Sequence, residues 1–490
     1  MPFELMAPLM FAGLVLFLLL GYPVAFSLAA NGLLFGLIGI AHGNIEPALL
    51  QALPERVLGI MSNSTLLAIP FFTLMGLILE RSGMAEDLLD TVGQLFGSIR
   101  GGIAYAVVFV GALLAATTGV VAASVLAMGL ISLPVMIRYG YANWLSTGVI
   151  AASGTLAQII PPSLVLIVLA DQMGASVGDF YEGALIPGVG LAVLYGVWVA
   201  IVSVMKPKAA PGCAPEARTL YGTKLLVKVF TSMIPPLVLI FLVLGTIFLG
   251  VATPTEGGAM GASGAMVMAL AKRKLSFAVL KHAIESTATM TSFVMFILVG
   301  STVFSLVFRG MDGDLWVEHL LTSVPGGALG FLIVVNVMIF LLAFFLDYFE
   351  IAFIMVPLLA PVALKLGIDL MWFGVLLSVN MQTSFLHPPF GFALFYLRSV
   401  APKSVRTSEI YWGAIPFVVI QILMVAIVIS FPGIVTGNVS QAVGAIKGSG
   451  AEELRRQIEG PGTPAPGEKP KAPGKSEDAG AELERLLKGQ

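Results

Sequence analysis

Six long stretches of this chain carry no charged side chain: Leu9–Ile40, Tyr105–Leu133, Gly183–Met205, Ile234–Leu249, Leu329–Leu346 and Tyr411–Phe431. A helix needs roughly 20 apolar residues to cross the hydrocarbon core of a bilayer. Backbone polar groups must pair internally there, so such a chain is expected to be all-α and polytopic. Composition agrees. Of 490 residues, 58% are hydrophobic and 11% charged, with a mean hydropathy of +0.97; a soluble domain carries about 25% charged residues. Counting weaker stretches as well, about ten to twelve spans are expected. No soluble enzyme domain fits between them. The N-terminus lacks a basic region before its apolar run, so that run reads as a retained span. The single cysteine, Cys213, excludes an internal disulfide and a cysteine-based metal cluster. The net charge is −2 and no basic stripe is interleaved with aromatics, so no nucleic-acid partner is expected.

Two basic clusters orient the chain. Lys206, Lys208, Arg218, Lys224 and Lys228 form one, with Glu216 as its only acid; Lys272, Arg273, Lys274 and Lys281 form the other. Basic loops stay in the cytoplasm, so both are assigned there, with two spans and a Thr253–Gly258 turn between them. The first cluster also separates two similar halves. Residues 134–140 read PVMIRYG and residues 361–367 read PVALKLG; Pro161-Pro162 and Pro388-Pro389 stand at the same offset of 227. Gly76 matches Gly300, Gly101-Gly102 matches Gly326-Gly327, and EGALIP at 182–187 resembles WGAIP at 412–416. Chance matches of Pro and Gly are the bland alternative; the common order speaks for an internal repeat. The expected division is 1–205 as a first membrane repeat, 206–228 as a cytoplasmic loop, 229–435 as a second repeat, and 436–490 as a polar tail. The tail is rich in Gly, Pro, Ala, Lys and Glu and is expected to be disordered, with short amphipathic segments at Glu452–Ile458 and Ala481–Leu487.

Pro-Pro inside an apolar stretch removes two donors and breaks a helix. At membrane depth such backbone is tolerated only inside protein or along a polar cavity. Small polar residues precede both breaks: Ser153 to Ile160 read SGTLAQII, and Asn380 to His387 read NMQTSFLH. Paired breaks at corresponding positions of two halves point to a transport site, where carbonyls take Na⁺ and half-helix N-termini face an anionic substrate. A kink that only shapes packing is the plain alternative. The run Ala115–Ser124 is small enough for a re-entrant tip packed closely on a neighbour. Its counterpart holds Asp347 and Glu350, two acids that are either functional or hydrated at the interface. Glu256 suits a helix start, Asp171, Asp179 and Glu182 an interface, and Arg398 a snorkelling position. His387 reads equally as a packed neutral ring or as a ligand.

These elements together resemble the large membrane subunit of tripartite ATP-independent periplasmic (TRAP) transporters over roughly residues 1–435. The resemblance rests on GVATPTEGGA (250–259), PVMIRYGY (134–141), SGTLAQIIPPS (153–163), FFLDYFEIAFIMVPLLAP (344–361) and NMQTSFLHPPFGFALFYLRSVAP (380–402). ADQMG (170–174) and the second Pro-Pro region look most like the branch labelled mannitol/chloroaromatic. The resemblance implies an elevator-type fold of two inverted repeats, each with a re-entrant hairpin and a broken helix. It also implies residence in a bacterial inner membrane and symport of a small organic acid with Na⁺, without any other cofactor. A small four-helix membrane subunit and a periplasmic substrate-binding protein are the implied partners. Carried over by position, a first sodium site would use Thr117, Thr118, Gly119, Ser124, Gly154 and Thr155, next to Pro161 and Pro162. A second would use Asp347, Glu350, Asn380, Gln382, Thr383 and His387, next to Pro388 and Pro389. His387 stands where the family pattern has Thr, and the tail beyond 440 is longer than the pattern. Two rivals remain. A membrane-embedded enzyme needs a paired-acid, Ser/His or H-E-x-x-H arrangement at depth, and no H-E-x-x-H occurs. A non-transporting scaffold has no need of paired helix breaks.

Overall fold

The computed structural model describes residues 3–97, 99–119, 121–212, 222–344 and 346–437, apart from the side chains of Ala85, Thr117 and Thr118. Cys213, Glu216, Arg218 and the tail with its two amphipathic candidates lie outside the described residues. Among the described residues every regular element is helical. The first half comprises α1 (Met6–Leu19), α2 (Val24–Ala41), α3 (Ala48–Gln51), α4 (Leu53–Met61), α5 (Ala68–Arg81), α6 (Met84–Phe96), α7 (Gly102–Thr118), α8 (Val121–Arg138), α9 (Asn143–Thr155), α10 (Leu164–Met173) and α11 (Val177–Met205). The second comprises α12 (Gly222–Phe248), α13 (Pro254–Ala271), α14 (Phe277–Gly310), α15 (Gly313–Thr322), α16 (Gly327–Leu342), α17 (Tyr348–Ile354), α18 (Val356–Lys365), α19 (Leu370–Met381), α20 (Phe392–Val400), α21 (Thr407–Ser430) and α22 (Gly433–Thr436).

The two inverted repeats are visible in this order. In each, an apolar helix (14 residues in α5, 34 in α14) leads to an amphipathic one, then a helical hairpin, then a helix interrupted at Pro-Pro, then a long closing helix. Thus α5 to α11 correspond to α14 to α21, with α8 matched by the bent pair α17 and α18. The matched glycines carry matched backbone. Gly140 and Gly367 close the second hairpin arms at φ +78° and +74°, a left-handed cap that a side chain resists. Gly101 and Gly326 precede the first arms at φ +77° and +100°. Both Pro-Pro bonds are cis.

Fewer helices cross the membrane on length alone than the apolar runs suggested. Six are long and apolar enough among the described residues, or eight if each bent pair counts once. The difference from ten to twelve has a physical cause. Leu9–Ile40 is not one run but two helices turned at Gly21 (φ +79°), and the runs at the hairpins and Pro-Pro breaks are divided into pieces of 18 residues or fewer, of which only α8 reaches that length. Helix α12 starts at Gly222, inside the segment expected to be loop.

The helices fall into an outer and an inner group, which meet through α5 on α7 and α14 on α17. In the outer group α14 lies along α2 and α5, and α13 packs on α5 and α12. Close approach there requires glycine: a Cβ on Gly300 would sit 2.3 Å from the Ala25 carbonyl oxygen, and one on Gly32 3.0 Å from the Phe304 backbone. The inner group is built from α7 to α11 and α16 to α21, with α9 held between α7, α8 and α21. Asp87 on α6 receives Lys228 at 3.5 Å and Lys272 at 3.3 Å, so both basic clusters lie at one end of the molecule, as the charge bias requires. At the start of α13, Thr253 and Glu256 form a reciprocal capping box, which accounts for the T-P-T-E motif.

Candidate functional site

A cavity of about 470 Å³ lies where the two repeats meet the outer group. Gly119, Val121 and Ala122 bring the tip of the first hairpin to it, and Asp347, Tyr348, Phe349 and Glu350 bring the second. Gln158 and Val165 flank the first break; Phe385, Phe392 and Tyr396 flank the second. Tyr22, Met290 and Phe293 form the wall from the outer group. No Lys, Arg or His is among its lining residues.

Helix starts converge here. Helices α8 and α20 begin on the cavity with Val121 and Phe392, and α10 brings Val165 of its first turn to it. Ser163 occupies the N-cap position of α10, yet its hydroxyl donates to the Gln158 carbonyl at 2.8 Å and leaves that helix start uncapped. Gly391 before α20 has no side chain to cap with. Both helix starts therefore keep N–H groups without a side-chain cap and carry partial positive charge near the cavity. The α17 start is different: Asp347 accepts from the Glu350 N–H at 3.0 Å while Glu350 accepts from the Asp347 N–H at 2.8 Å. Its own acids occupy that end.

The first break is held by the second repeat. Ser378, on α19, donates to the Gln158 carbonyl at 3.1 Å. The Tyr348 hydroxyl at the second hairpin tip donates to the Val165 carbonyl just past the first break. The Gln421 amide nitrogen lies 3.3 Å from the Thr155 hydroxyl, 2.9 Å from that of Tyr195 and 3.4 Å from Gln382 Oε1. Three buried oxygens in this region have no hydrogen-bond partner: Gln158 Oε1, Asn336 Oδ1 and Gln421 Oε1.

The residues singled out in the sequence are distributed rather than gathered. Of the first set, Gly119 lines the cavity, Ser124 is buried on α8, and Gly154 packs against Val125. Thr155 gives its hydroxyl to the Ala152 carbonyl at 2.8 Å. The Thr117 and Thr118 side chains lie outside the described residues. Of the second set, Asp347 and Glu350 reach the cavity. Asn380 donates to the Asn336 carbonyl at 2.8 Å, Thr383 to the Asn380 carbonyl at 2.6 Å, and Gln382 meets Gln421. His387 stands apart from the cavity lining. Its ring stacks on Phe344 at 3.9 Å and meets Phe340 edge-on at 5.2 Å, and neither ring nitrogen has a hydrogen-bond partner. Arg398 does not simply reach for an interface; it donates to the Val405 carbonyl at 2.6 Å and staples the turn after α20.

Sequence reasoning missed Gln421, Tyr195 and Ser378. A lone glutamine in the Tyr411–Phe431 span was a usable signal, because an amide in hydrocarbon needs partners.

The model of the tripartite ATP-independent periplasmic transporter DctM component matches residues 11–434. The chain belongs to the DctM family of TRAP transporter permeases. It is 30% identical over 397 residues to the C4-dicarboxylate TRAP transporter large permease protein DctM of Pseudomonas aeruginosa, covering 79% of this chain and 89% of that one. It is 25% identical to the isethionate TRAP transporter permease protein DctMQ of Oleidesulfovibrio alaskensis, over 87% of this chain and 65% of the other. In fold it resembles the Alcanivorax borkumensis YdaH transporter, with a TM-score of 0.57 over 79% of this chain and 90% of that one at 14% identity. This permease is therefore a multi-pass inner-membrane protein and one component of a transporter, not an enzyme. Both rival readings fall away.

Proposed function

We propose that the permease takes up a small organic acid by symport with Na⁺, with the cavity between the hairpin tips as the substrate site. The observation that carries this reading is the convergence on one cavity of both hairpin tips and both broken helices. Uncapped starts of α10 and α20 supply N–H donors for a carboxylate. Asp347 and Glu350 face the same space, and a carboxylate close to two acids is repelled unless cations compensate them. That repulsion is the coupling: Na⁺ bound beside the acids admits the substrate anion, and the anion in turn favours Na⁺, by the reciprocity of linked binding. The unpartnered oxygens of Gln158, Asn336 and Gln421 are donors of the kind a hard cation accepts. The name of the P. aeruginosa relative supports an organic acid as cargo. The family's tripartite description and the DctMQ name support a small membrane subunit and a periplasmic binding protein as partners. In this reading the inner group of helices moves against the outer group as an elevator, carrying the cavity with it.

The test is uptake into proteoliposomes that hold the permease with its small subunit, supplied with the loaded binding protein. An inward Na⁺ gradient should drive accumulation, and replacing Na⁺ by K⁺ should abolish it. Equal uptake in K⁺ would overturn the coupling.

A further inference from the structure

We infer that a second pocket, at the periplasmic end of the boundary between the outer and inner groups, binds a small organic carboxylate between Arg56 and Arg309. The pocket holds about 340 Å³. Its place follows from the charge bias. Helix α5 ends at Arg81, next to α6, where Asp87 receives Lys228 and Lys272 of the two basic clusters. The start of α5, with α4 and Asn63 just before it, therefore lies at the other end. Helix α14 begins at Phe277, just past Lys274, and ends at Gly310, so Arg309 lies at that other end too. The Thr255 hydroxyl at the start of α13 donates to the Ser64 carbonyl at 2.6 Å and joins the same end. With both basic clusters in the cytoplasm, this end is periplasmic.

Arginines at a periplasmic end run against the same bias, so their charge calls for another reason. Among the described residues the ion pairs join Lys228 and Lys272 to Asp87, Lys281 to Glu285 and Lys365 to Glu318; none takes up Arg56 or Arg309. The one acid lining the pocket is Asp171, and it is already served. Its Oδ1 accepts from the Asn63 amide at 2.6 Å and its Oδ2 from the Gln172 amide at 3.1 Å. Two guanidiniums against one carboxylate leave an excess positive charge, and each guanidinium offers a fork of N–H donors that matches a carboxylate. Phe353 and Pro357 of the inner group add an apolar side. A concave space of this volume suits a small molecule better than a protein surface. The pocket is separate from the cavity at the hairpin tips. That cavity meets α14 at Met290 and Phe293, and this pocket meets it from Leu298 to Arg309. The middles of the two stretches lie about 18 Å apart at the rise of an α-helix. An anion arriving from the periplasm thus meets the guanidiniums before it meets Asp347 and Glu350. The choice of a carboxylate as ligand rests on the organic-acid cargo proposed above; the pocket and its charge do not.

The experiment uses the purified full chain with Cys213→Ser and Gly59→Cys, in nanodiscs of neutral lipid and in KCl without Na⁺. Gly59 lines the pocket one turn from Arg56 on α4, and a Cβ there meets nothing within 4 Å. An anionic and a cationic methanethiosulfonate of equal size modify this thiol, and each rate is taken relative to the same reagent's rate with 2-mercaptoethanol. At low ionic strength the anionic reagent should react about tenfold faster than the cationic one. Succinate, with ionic strength held constant, should slow the anionic reagent saturably, and succinamide should not. Arg56→Gln and Arg309→Gln should each raise the half-saturating succinate concentration about tenfold, the worth of one charge-assisted hydrogen bond. Together they should erase the preference between the reagents. Both side chains are exposed, so the fold should survive their loss. No preference for the anionic reagent overturns the site. A preference that succinate does not diminish overturns the small carboxylate in favour of an acidic protein surface docking there. Slowing by succinate that persists in the double variant places the anion elsewhere and overturns the assignment to these arginines. Omitting Na⁺ keeps this result apart from coupling: uptake that proves independent of Na⁺ leaves these rates unchanged, and a negative result here leaves the coupling untouched.

Discussion

A single buried carboxamide, that of Gln421, reaches both helix breaks through Thr155 and Gln382 and also meets Tyr195. An amide nitrogen has two hydrogens, so it serves two of these three oxygens at a time. Replacing it with a near-isosteric apolar residue strands buried polar groups, which costs about 1–3 kcal/mol for each group left unsatisfied. Gln421→Leu should therefore lower stability more than Ser378→Ala. The latter removes one neutral bond, worth about 1 kcal/mol, while Ser163 still holds the same Gln158 carbonyl. Unfolding by denaturant in detergent measures both. Equal losses would mean that Gln421 only fills space. The sequence exposed Thr155 and Gln382 as candidates because they precede Pro-Pro. It placed them in two separate ion sites because spacing along one chain does not report what a third helix brings between them. It identified Asp347 and Glu350 by the expense of acids in an apolar region, and the cavity places them at a hairpin tip. For His387 the sequence left two readings open, and the structure adds that its ring stacks on Phe344.

At the scale of elements, the inner group depends on backbones that approach without side chains between them. On α9 and α21, a Cβ on Gly148 would lie 2.1 Å from the Gly413 carbonyl oxygen, and one on Gly413 would lie 2.0 Å from that of Trp144. No rotamer relieves a clash with backbone, so the helices must separate and lose packing along their length. Gly413→Ala should lower the thermal midpoint of the purified permease by several degrees. Gly245→Ala in α12, where a Cβ meets nothing within 4 Å, should leave it unchanged or raise it slightly, since alanine is the better helix former. A similar effect of both would show that the crossing is not tight. The repeat itself was legible, because Pro and Gly fix backbone wherever they stand and so keep their spacing. The division of the apolar runs into separate helices was not. Hydropathy registers apolar length but not the turn at Gly21 or the breaks that divide an apolar run into short helices.

At the scale of the molecule, the two helix groups share the cavity wall: Phe293 on α14 belongs to the outer group and Phe349 on α17 to the inner. If transport moves one group past the other, a covalent link between these walls stops it, while a link within one group does not. The comparison uses a Cys213→Ser background, which removes the one native thiol. Phe293→Cys with Phe349→Cys places a thiol on each side of the moving boundary. Phe26→Cys with Phe296→Cys places both on α2 and α14, whose rings already lie 6.2 Å apart within the outer group. A short bifunctional thiol reagent should abolish Na⁺-driven uptake in the first pair and leave at least half of it in the second. A reducible reagent should restore the first on addition of dithiothreitol. Uptake that survives a verified link between Phe293→Cys and Phe349→Cys would mean that substrate crosses without the groups sliding, by local opening of the hairpin tips at a fixed cavity. Loss of uptake in both pairs would mean that the outer group itself must flex, and the division into a stationary and a moving body would fail.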